Sequence, residues 1–505
     1  MADLSILNHF WLTLLILLPI ILISRAVVAG TKYSPILIIV IFGLTLGLIL
    51  DISNIGTPGL ASFPMIGFTS GVTITALVVT FFVGGQKLRN TFFKPKTPKE
   101  DDVILNDHEV ILGTKGTQLI FIVRAYFILV GIEGLKRIIL GDQGSSLANF
   151  YPLIAFFGLA GALILIDSKA KIVNKHQYLI RGVVEIFGIL LVLVLSFYLS
   201  QWIKDLIALP QIFFAMIISS TLGMIFSDWR GGPTFKALLF GGIPVVLAAV
   251  FLVGGSRLLE AFTLDGMVQV MAFGFFGQLF WMFVGMALLV FVGKQKSVDI
   301  VAPGMAGSLS HSGLTGACTA GDLGEVAKET APIMINIPFF GHLFVFTILA
   351  ASATRGELLF IPSLIVVLVG GVLTYLALSI LSKANQVKSQ ETKGLIFFSL
   401  GWQLVAVFGG LIMLNFTGMS LSYAAMGNSS AISHFGLFAS IQGGMFGEEA
   451  AGLISFIFAM PFLIHPVVFG IFGKAMENNG EMPRKAILTL AIIGVVGVLV
   501  SLILL

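Results

Sequence analysis

The sequence predicts an all-α polytopic membrane protein, and two observations carry this prediction: the composition and the recurring apolar runs. Hydrophobic residues make up 57% of the chain and charged residues only 11%, and the mean hydropathy is +1.03. A soluble globular domain carries about a quarter charged residues and could not bury so much apolar surface. We therefore expect an integral protein of a bacterial-type plasma (inner) membrane, whose partner is the lipid bilayer and not nucleic acid.

About fourteen transmembrane helices fit the apolar runs, each of which approaches the ~20 residues that a membrane crossing needs. The predicted spans are 11–29, 34–50, 66–84, 118–141, 151–167, 182–203, 210–228, 237–255, 267–293, 331–352, 359–382, 394–416, 450–473 and 486–504. Two further segments, 304–322 and 420–444, are rich in Gly, Ser and Ala and are too polar for full crossings.

Lysine and arginine residues predict the orientation, because cytoplasmic loops carry an excess of them. These residues concentrate in alternate loops, at 87–115, 169–181, 230–236, 294–296, 383–393 and 474–485. Fourteen crossings with both termini outside satisfy this alternation only if segments 304–322 and 420–444 each enter and leave on one side. We therefore predict two re-entrant hairpins, the first entering from the cytoplasm and the second from outside.

A sequence repeat joins the two predicted hairpins. Leu-Ser-His-Ser-Gly-Leu at 309–314 returns as Ile-Ser-His-Phe-Gly-Leu at 432–437, displaced by 123 positions (434 − 311). The same displacement aligns His342 with His465. Three predicted crossings separate the copies, and an odd number makes the copies antiparallel. Inverted repeats of this kind are typical of secondary transporters.

A second, weaker repeat lies earlier in the chain. Thr-Leu-Gly at 45–47 resembles Thr-Leu-Gly at 221–223, and residues 81–88 resemble 251–258, with five crossings between the copies. The displacement here is 170 (251 − 81), so a single tandem duplication cannot produce both repeats.

Three regions follow from the two repeats. Residues 1–303 are predicted to be mainly scaffold helices, with a cytoplasmic loop at 86–117. Residues 304–382 form the first hairpin repeat, and residues 394–505 form the second, inverted one.

The small polar residues of the two hairpins are candidates for a substrate site. Half-helix N-termini near the membrane midplane suit carboxylates, and exposed backbone carbonyls suit Na⁺. The alternative is that small residues only allow close helix packing. The candidate substrate-binding residues are Ser308, Ser310, His311, Ser312, Gly313, Thr315, Asn428, Ser429, Ser430, Ser433, His434 and Gly436.

Four more residues, Asp322, Glu325, Gln442 and Glu448, are candidates for coupling to a cation, because ionisable groups at membrane depth are costly and tend to be functional. The alternative places Glu325 and Glu448 at the membrane surface, as N-terminal helix residues favoured by the dipole. Another paired feature, His342 and His465, indicates either a lining of the translocation path or packing histidines.

Two hairpin motifs and one early segment carry a family resemblance. The motifs are Gly-Ser-Leu-Ser-His-Ser-Gly at 307–313 and Met-Gly-Asn-Ser-Ser at 426–430, continuing to Ser-His-Phe-Gly at 433–436. The early segment runs from Ser34 to Gly47 and is followed by Phe-Phe-Val-Gly at 81–84. Together they resemble the bacterial sodium/glutamate symporters. The resemblance implies an elevator-type carrier for an anionic amino acid, driven by Na⁺.

The favoured function is therefore secondary active transport, as Na⁺-coupled symport of a small anion such as an amino acid or carboxylate (glutamate-like). Na⁺ or H⁺ would be the coupling ion, with no other metal and no cofactor. One alternative is a monovalent cation/proton antiporter in which Asp322, Glu325 and Glu448 carry protons. Another is a passive channel or a membrane subunit of a larger complex. An enzyme is not expected, because no nucleophile or phosphate-loop motif is present. The oligomeric state is open, with a homodimer as one option.

Overall fold

The computed structural model describes residues 5–29, 35–52, 64–92, 115–141, 151–165, 175–204, 209–229, 232–256, 263–384, 388–458 and 464–504. These residues are almost entirely helical, and they include no β-strand beyond two isolated bridges. The helices are α1 Ser5–Val28, α2 Pro35–Ile52, α3 Pro64–Phe92, α4 Lys115–Leu140, α5 Tyr151–Ile164, α6 Lys175–Ile203, α7 Gln211–Ile225, α8 Pro233–Ser256, α9 Met267–Val292, α10 Val298–Leu309, α11 Ser312–Ala320, α12 Glu325–Asn336, α13 Pro338–Arg355, α14 Phe360–Lys383, α15 Lys388–Asn415, α16 Leu421–Ile432, α17 Phe435–Gln442, α18 Glu448–Ile457, α19 His465–Glu477 and α20 Arg484–Leu504.

Six helices are long and apolar enough to cross a membrane: α6, α8, α9, α14, α15 and α20. A seventh span results if α12 and α13 form one bent crossing. These helices make the chain an integral membrane protein. Each of the fourteen predicted spans overlaps at least one helix, but several of these helices do not meet the criterion of length and hydropathy that the six satisfy. For example, α5 and α7 are apolar but have only 14 and 15 residues. The count of fourteen therefore stays a prediction.

The burial of the spanning helices separates a centre from a periphery. The most apolar stretch of α8 is 83% buried inside the molecule, whereas the corresponding stretches of α14 and α20 are only 33% buried. Large apolar side chains such as Ile361, Leu368 and Ile503 are exposed on these outer helices. In a membrane protein such side chains face lipid, where their exposure carries no hydrophobic penalty.

Both sequence repeats recur as repeats of structure. Helices α10, α11 and α12 begin at residues 298, 312 and 325, and α16, α17 and α18 begin 123 residues later at 421, 435 and 448. The earlier repeat appears as two matching helix contacts, α2 with α8 and α7 with α3.

Glycines make these two contacts close. A Cβ on Gly47 would fall on the carbonyl oxygen of Leu252, and one on Gly223 would fall on that of Phe82. The two glycines are 176 positions apart (223 − 47), and the residues that they contact are 170 apart (252 − 82). In this repeat α7 therefore corresponds to α2, and α8 corresponds to α3. Close helix approach through small residues stabilises such pairs in membranes.

The helices differ in detail from three predicted boundaries. The predicted loop at 86–117 begins later, because α3 continues to Phe92; residues 93–114 lie outside the described part of the chain. The first hairpin segment begins at Val298 and not at 304, because Ser297 accepts a hydrogen bond from the N–H of Asp299 and so caps α10. The single crossing predicted at 331–352 is divided at Ile337, just before Pro338.

Candidate functional site

The first hairpin segment doubles back on itself, so that its second helix runs opposite to its first. An ideal Cβ on Gly324 would lie 2.8 Å from Oδ1 of Asp299, so α10 and α12 begin side by side. A Cβ on Gly307 would lie 2.5 Å from the carbonyl oxygen of Met334, so the two helices also end side by side. Helix α11 connects the end of α10 to the start of α12. It therefore runs back antiparallel to both.

The second hairpin segment has the same geometry, with side-chain hydrogen bonds at both ends. Ser422 Oγ donates to the carbonyl of Phe446 at 3.0 Å, where α16 and α18 begin. Ser430 Oγ donates to the carbonyl of Ile457 at 2.8 Å, where the two helices end. Ser430 is the counterpart of Gly307, and Ile457 is the counterpart of Met334 (each displaced by 123). The contact is thus preserved between the copies, although the residues that make it differ.

The two hairpins meet at their tips. Ser310 and Ser433 end α10 and α16 in the left-handed region, with φ of 50° and 51°. The next residues, His311 and His434, are extended and face each other in an antiparallel bridge. Left-handed residues commonly end helices, and an extended residue follows naturally as the cap of the next helix. The tips therefore bring four helix ends to one place.

His311 is the N-cap of α11. The backbone N–H of Leu314 donates to its Nδ1 at 3.1 Å, so Nδ1 is an acceptor and the neutral ring carries its proton on Nε2. This Nε2 lies 3.0 Å from the side-chain amide of Gln278 in α9. Because Nε2 donates, the amide orientation that fits presents the oxygen of Gln278 to the ring.

His434 caps α17 in the same way and continues into a chain of hydrogen bonds. Leu437 N–H donates to its Nδ1 at 3.0 Å. Its Nε2 lies 3.2 Å from Nε2 of His342 and 3.0 Å from the amide of Gln403. His342 Nδ1 lies 3.2 Å from the carbonyl of Pro338, which can only accept, so Nδ1 carries the proton of that ring. His342 Nε2 therefore carries no proton and accepts a hydrogen bond from Nε2 of His434.

The four histidines are paired across the two repeats. The His311 ring lies 4.7 Å from that of His465, and the His434 ring lies 5.0 Å from that of His342 (centroid distances). His342 and His465 are counterparts in the repeat, as are His311 and His434. The two ring contacts are therefore equivalent. All four rings are buried, with at most 1% of each residue exposed. Each hairpin tip thus packs against the other repeat.

A glycine lies two residues after the histidine of each tip, where a side chain would come close to the histidine pairs. A Cβ on Gly313 would lie 3.0 Å from Nε2 of His465. A Cβ on Gly436 would lie 3.2 Å from Cε1 of His434 and 3.4 Å from Nε2 of His342. Any larger residue would push the histidine pairs apart.

The other predicted residues of the first hairpin differ in their surroundings. Ser308 Oγ donates to Met305 in its own helix, at 3.3 Å. Ser310 and Thr315 line a cavity of about 30 Å³ together with Thr73 and Thr80 of α3, roughly the volume of one water molecule. The side chain of Ser312 lies outside the described part of the structure.

The second hairpin contains two buried oxygens that no described residue bonds. Asn428 Nδ2 donates to Val407 at 2.6 Å, which leaves its Oδ1 without a partner among the described residues. Ser429 Oγ, on the next residue, likewise has none there. Both residues are 0% exposed. Their counterparts in the first hairpin are Met305 and Ala306, so these oxygens belong to one copy only.

The predicted cation-coupling residues lie at the far ends of the hairpins. Helix α11 has nine residues, so the turn after it is about 13 Å from the tip. Asp322 lies in that turn and attracts Arg25 of α1. Glu325 and Glu448 are exposed in the first turns of α12 and α18. Gln442 is buried at the end of α17. None of the four joins the histidine cluster.

Sequence reasoning missed Gln278 and Gln403, which contact the hairpin histidines. Each interrupts an apolar span, and that is the signal which could have identified them. Their displacement is 125 (403 − 278), so a search at 123 does not align them. Within the described ranges, no group of three or more His, Cys, Asp or Glu is placed to hold a metal ion.

Comparisons of the chain with protein-family models, with curated proteins and with solved structures find no match. The fold and the site therefore define the class by themselves. The chain is an integral membrane protein with an internally duplicated helical core, whose two copies meet at a buried histidine cluster.

Proposed function

We propose that this chain is a cation-coupled secondary transporter, which moves a small anion such as an amino acid or carboxylate together with Na⁺. One observation carries the proposal: the antiparallel meeting of two duplicated, broken-helix segments at His311 and His434. Inverted repeats with helix breaks at the repeat interface are the usual architecture of secondary transporters. In this proposal the two segments are re-entrant hairpins, and the number of crossings is the predicted fourteen.

The charges at the tips support an anionic substrate. Helices α11 and α17 begin there, and a helix N-terminus carries about half a positive charge with N–H groups that lack partners. Two such ends beside neutral histidines favour a carboxylate in a medium of low dielectric constant. The substrate-binding residues would be the predicted hairpin set, extended by Gln278 and Gln403.

The oxygens in the second hairpin support a Na⁺ site. Asn428 Oδ1 and Ser429 Oγ, on successive residues of α16, are buried and have no partner among the described residues. Helix α16 also ends at the tip, and the carbonyl end of a helix carries partial negative charge. Oxygen atoms without hydrogen-bond donors suit a dehydrated Na⁺.

The antiporter alternative has weaker support. It requires titrating carboxylates along the path, but Glu325 and Glu448 are exposed at helix N-termini. The third carboxylate, Asp322, lies about 13 Å from the tips and attracts Arg25. The hairpin histidines use Nδ1 to accept a backbone N–H, so a second proton on either ring would break a helix cap.

The testing experiment measures the thermal stability of the purified protein against small carboxylates and amino acids, in Na⁺ or in choline. A ligand that binds only the folded state raises the melting temperature. We expect one anion to stabilise the protein only when Na⁺ is present, and the same anion to be taken up into vesicles along an inward Na⁺ gradient. Stabilisation by pH or Na⁺ alone, with no anion effect, would contradict symport and favour the antiporter.

A further inference from the structure

An open cavity with a volume of about 520 Å³ lies beside α17 of the second hairpin. Ala439 and Ser440 of α17 line it, and Ile74 of α3 forms part of its wall. Ser200 and Lys204, at the end of α6, lie at its rim. We call this cavity the α17 cleft. Helix α6 begins within the basic segment 169–181, and its 29 residues span about 43 Å. The cleft therefore opens on the face opposite the basic loops.

The matching place beside the first hairpin is closed. Gly316 is the counterpart of Ala439, and a Cβ on Gly316 would lie 2.6 Å from Cδ1 of Ile36 and 2.8 Å from Cγ2 of Ile243. A cavity that Thr315 of α11 lines has a volume of about 30 Å³. The α17 cleft is more than ten times larger, although the helices around the two hairpins correspond.

A charged pair stands at the closed side. Asp322 attracts Arg25, whose guanidinium also stacks on the Phe240 ring at 4.5 Å. The counterpart of Asp322 is Met445, which lines the α17 cleft. The carboxylate thus breaks the repeat on the closed side, at a position whose counterpart lines the open cleft.

We propose that the α17 cleft is the path by which a small anion reaches the hairpin tips from the face opposite the basic loops, and that Arg25 and Asp322 hold the matching path shut. This inference rests on the proposed transport function, because a path needs a solute. Lys204 makes no ion pair with any residue in the described ranges, so its charge is available to attract an anion at the rim. The hydroxyls of Ser200 and Ser440 donate to their own helices, which leaves their oxygens to accept from water in the cleft.

The chain is suited to a test by thiol labelling, because its single cysteine, Cys318, is 0% exposed. In a Cys318→Ala background, the substitutions Ala439→Cys and Ile74→Cys report on the cleft from its two walls. Ala317→Cys, on α11, is the control from the closed side, since Ala317 is the counterpart of Ser440, which lines the cleft beside Ala439. The probe is an anionic, membrane-impermeant methanethiosulfonate, applied to right-side-out and to inside-out vesicles.

We expect the Ala439→Cys and Ile74→Cys variants to react only from the face opposite the basic loops, and the Ala317→Cys variant to remain unreactive from both faces. Adding Asp322→Asn to the Ala317→Cys variant should raise the labelling rate from the basic-loop face to at least about tenfold above the background measured for Ala317→Cys alone, which corresponds to a shift of at least ~1.4 kcal/mol in the opening equilibrium. Adding Asp322→Glu instead, which keeps the charge, should leave that thiol unreactive.

Labelling needs neither substrate nor coupling ion, so the two proposals can fail separately. One-sided labelling without cation-driven uptake of any anion would remove the transporter and leave the cleft. Cation-driven uptake would leave the transporter, but the cleft would be overturned if Ala439→Cys and Ile74→Cys were unreactive or reacted equally from both faces. If Asp322→Asn does not change the labelling rate of the Ala317→Cys variant, the role of the charged pair is overturned.

Discussion

His434 and His342 are joined by a hydrogen bond between their Nε2 atoms, 3.2 Å apart, which ties the tip of the second hairpin to a helix of the first repeat. The direction of this bond is fixed at both ends. Leu437 N–H occupies Nδ1 of His434, and the carbonyl of Pro338 holds the proton of His342 on Nδ1. His434 therefore has two separable roles: it caps α17, and it forms a contact between the two repeats.

Substitutions of His434 should separate these two jobs. Asn is among the best N-cap residues, so His434→Asn should keep the cap of α17 and lose only the bond to His342. His434→Ala loses both, and the lost cap alone costs about 1 kcal/mol of unfolding free energy. We expect Ala to lower the melting temperature more than Asn does, and both to abolish substrate-dependent stabilisation. A His434→Asn protein that binds substrate like the parent would show that the histidine only caps the helix.

The glycines after the tips give a prediction about packing. Gly313→Ala places a Cβ 3.0 Å from His465, and overpacking of this kind costs about 1–3 kcal/mol. We expect a lower melting temperature and a loss of ligand binding. Gly470→Ala is the matched control, because it lies in the same helix as His465 and a Cβ there meets nothing within 4 Å. In that helix interior, alanine should stabilise by about 0.5–1 kcal/mol. Equal effects of the two substitutions would contradict the steric role of Gly313.

The exposed glutamates give a prediction about coupling. Glu325 pairs with Lys328 at 3.3 Å with its side chain 79% exposed, and Glu448 is exposed in the first turn of α18. Exposed substitutions of this type change stability by less than about 0.5 kcal/mol. We expect Glu325→Gln and Glu448→Gln to retain Na⁺-dependent stabilisation by the anion, measured by thermal shift. Loss of the Na⁺ dependence in either variant would assign that glutamate to coupling, as the sequence first suggested.

Much of the core could be predicted from the sequence because the duplication repeats residues that have few substitutes. The displacement of 123 located both hairpin segments and paired His311 with His434. The same displacement also aligns Gly324 with Gly447, and both have positive φ, of 101° and 94°. Rare residues under backbone or packing constraint repeat faithfully, which is why the alignment needed no gap.

What the sequence could not predict depends on packing between distant segments. Gln278 and Gln403 contact equivalent histidines but are 125 residues apart, although the helices that carry them end 123 residues apart, at Val292 and Asn415. The contact of Gly307 with Met334 in one copy becomes the Ser430–Ile457 hydrogen bond in the other. No residue pattern shows that these pairs are equivalent. The closure around Gly316 likewise involves Ile36 and Ile243, which lie far from it in the chain.

Ser429 gives the sharpest prediction about the cation. Its buried Oγ has no partner among the described residues, and its counterpart, Ala306, shows that alanine fits the equivalent position of α10. Ser429→Ala should therefore fold normally, with a melting temperature in choline close to that of the parent. If Oγ binds Na⁺, its loss should raise the Na⁺ concentration for half-maximal stabilisation by about tenfold, equivalent to ~1.4 kcal/mol. Ser501→Ala is the control, because Ser501 is a buried serine outside the hairpins whose Oγ already donates to the carbonyl of Val498 at 2.8 Å, and it should leave the Na⁺ titration unchanged. An unchanged titration in Ser429→Ala would place the cation elsewhere.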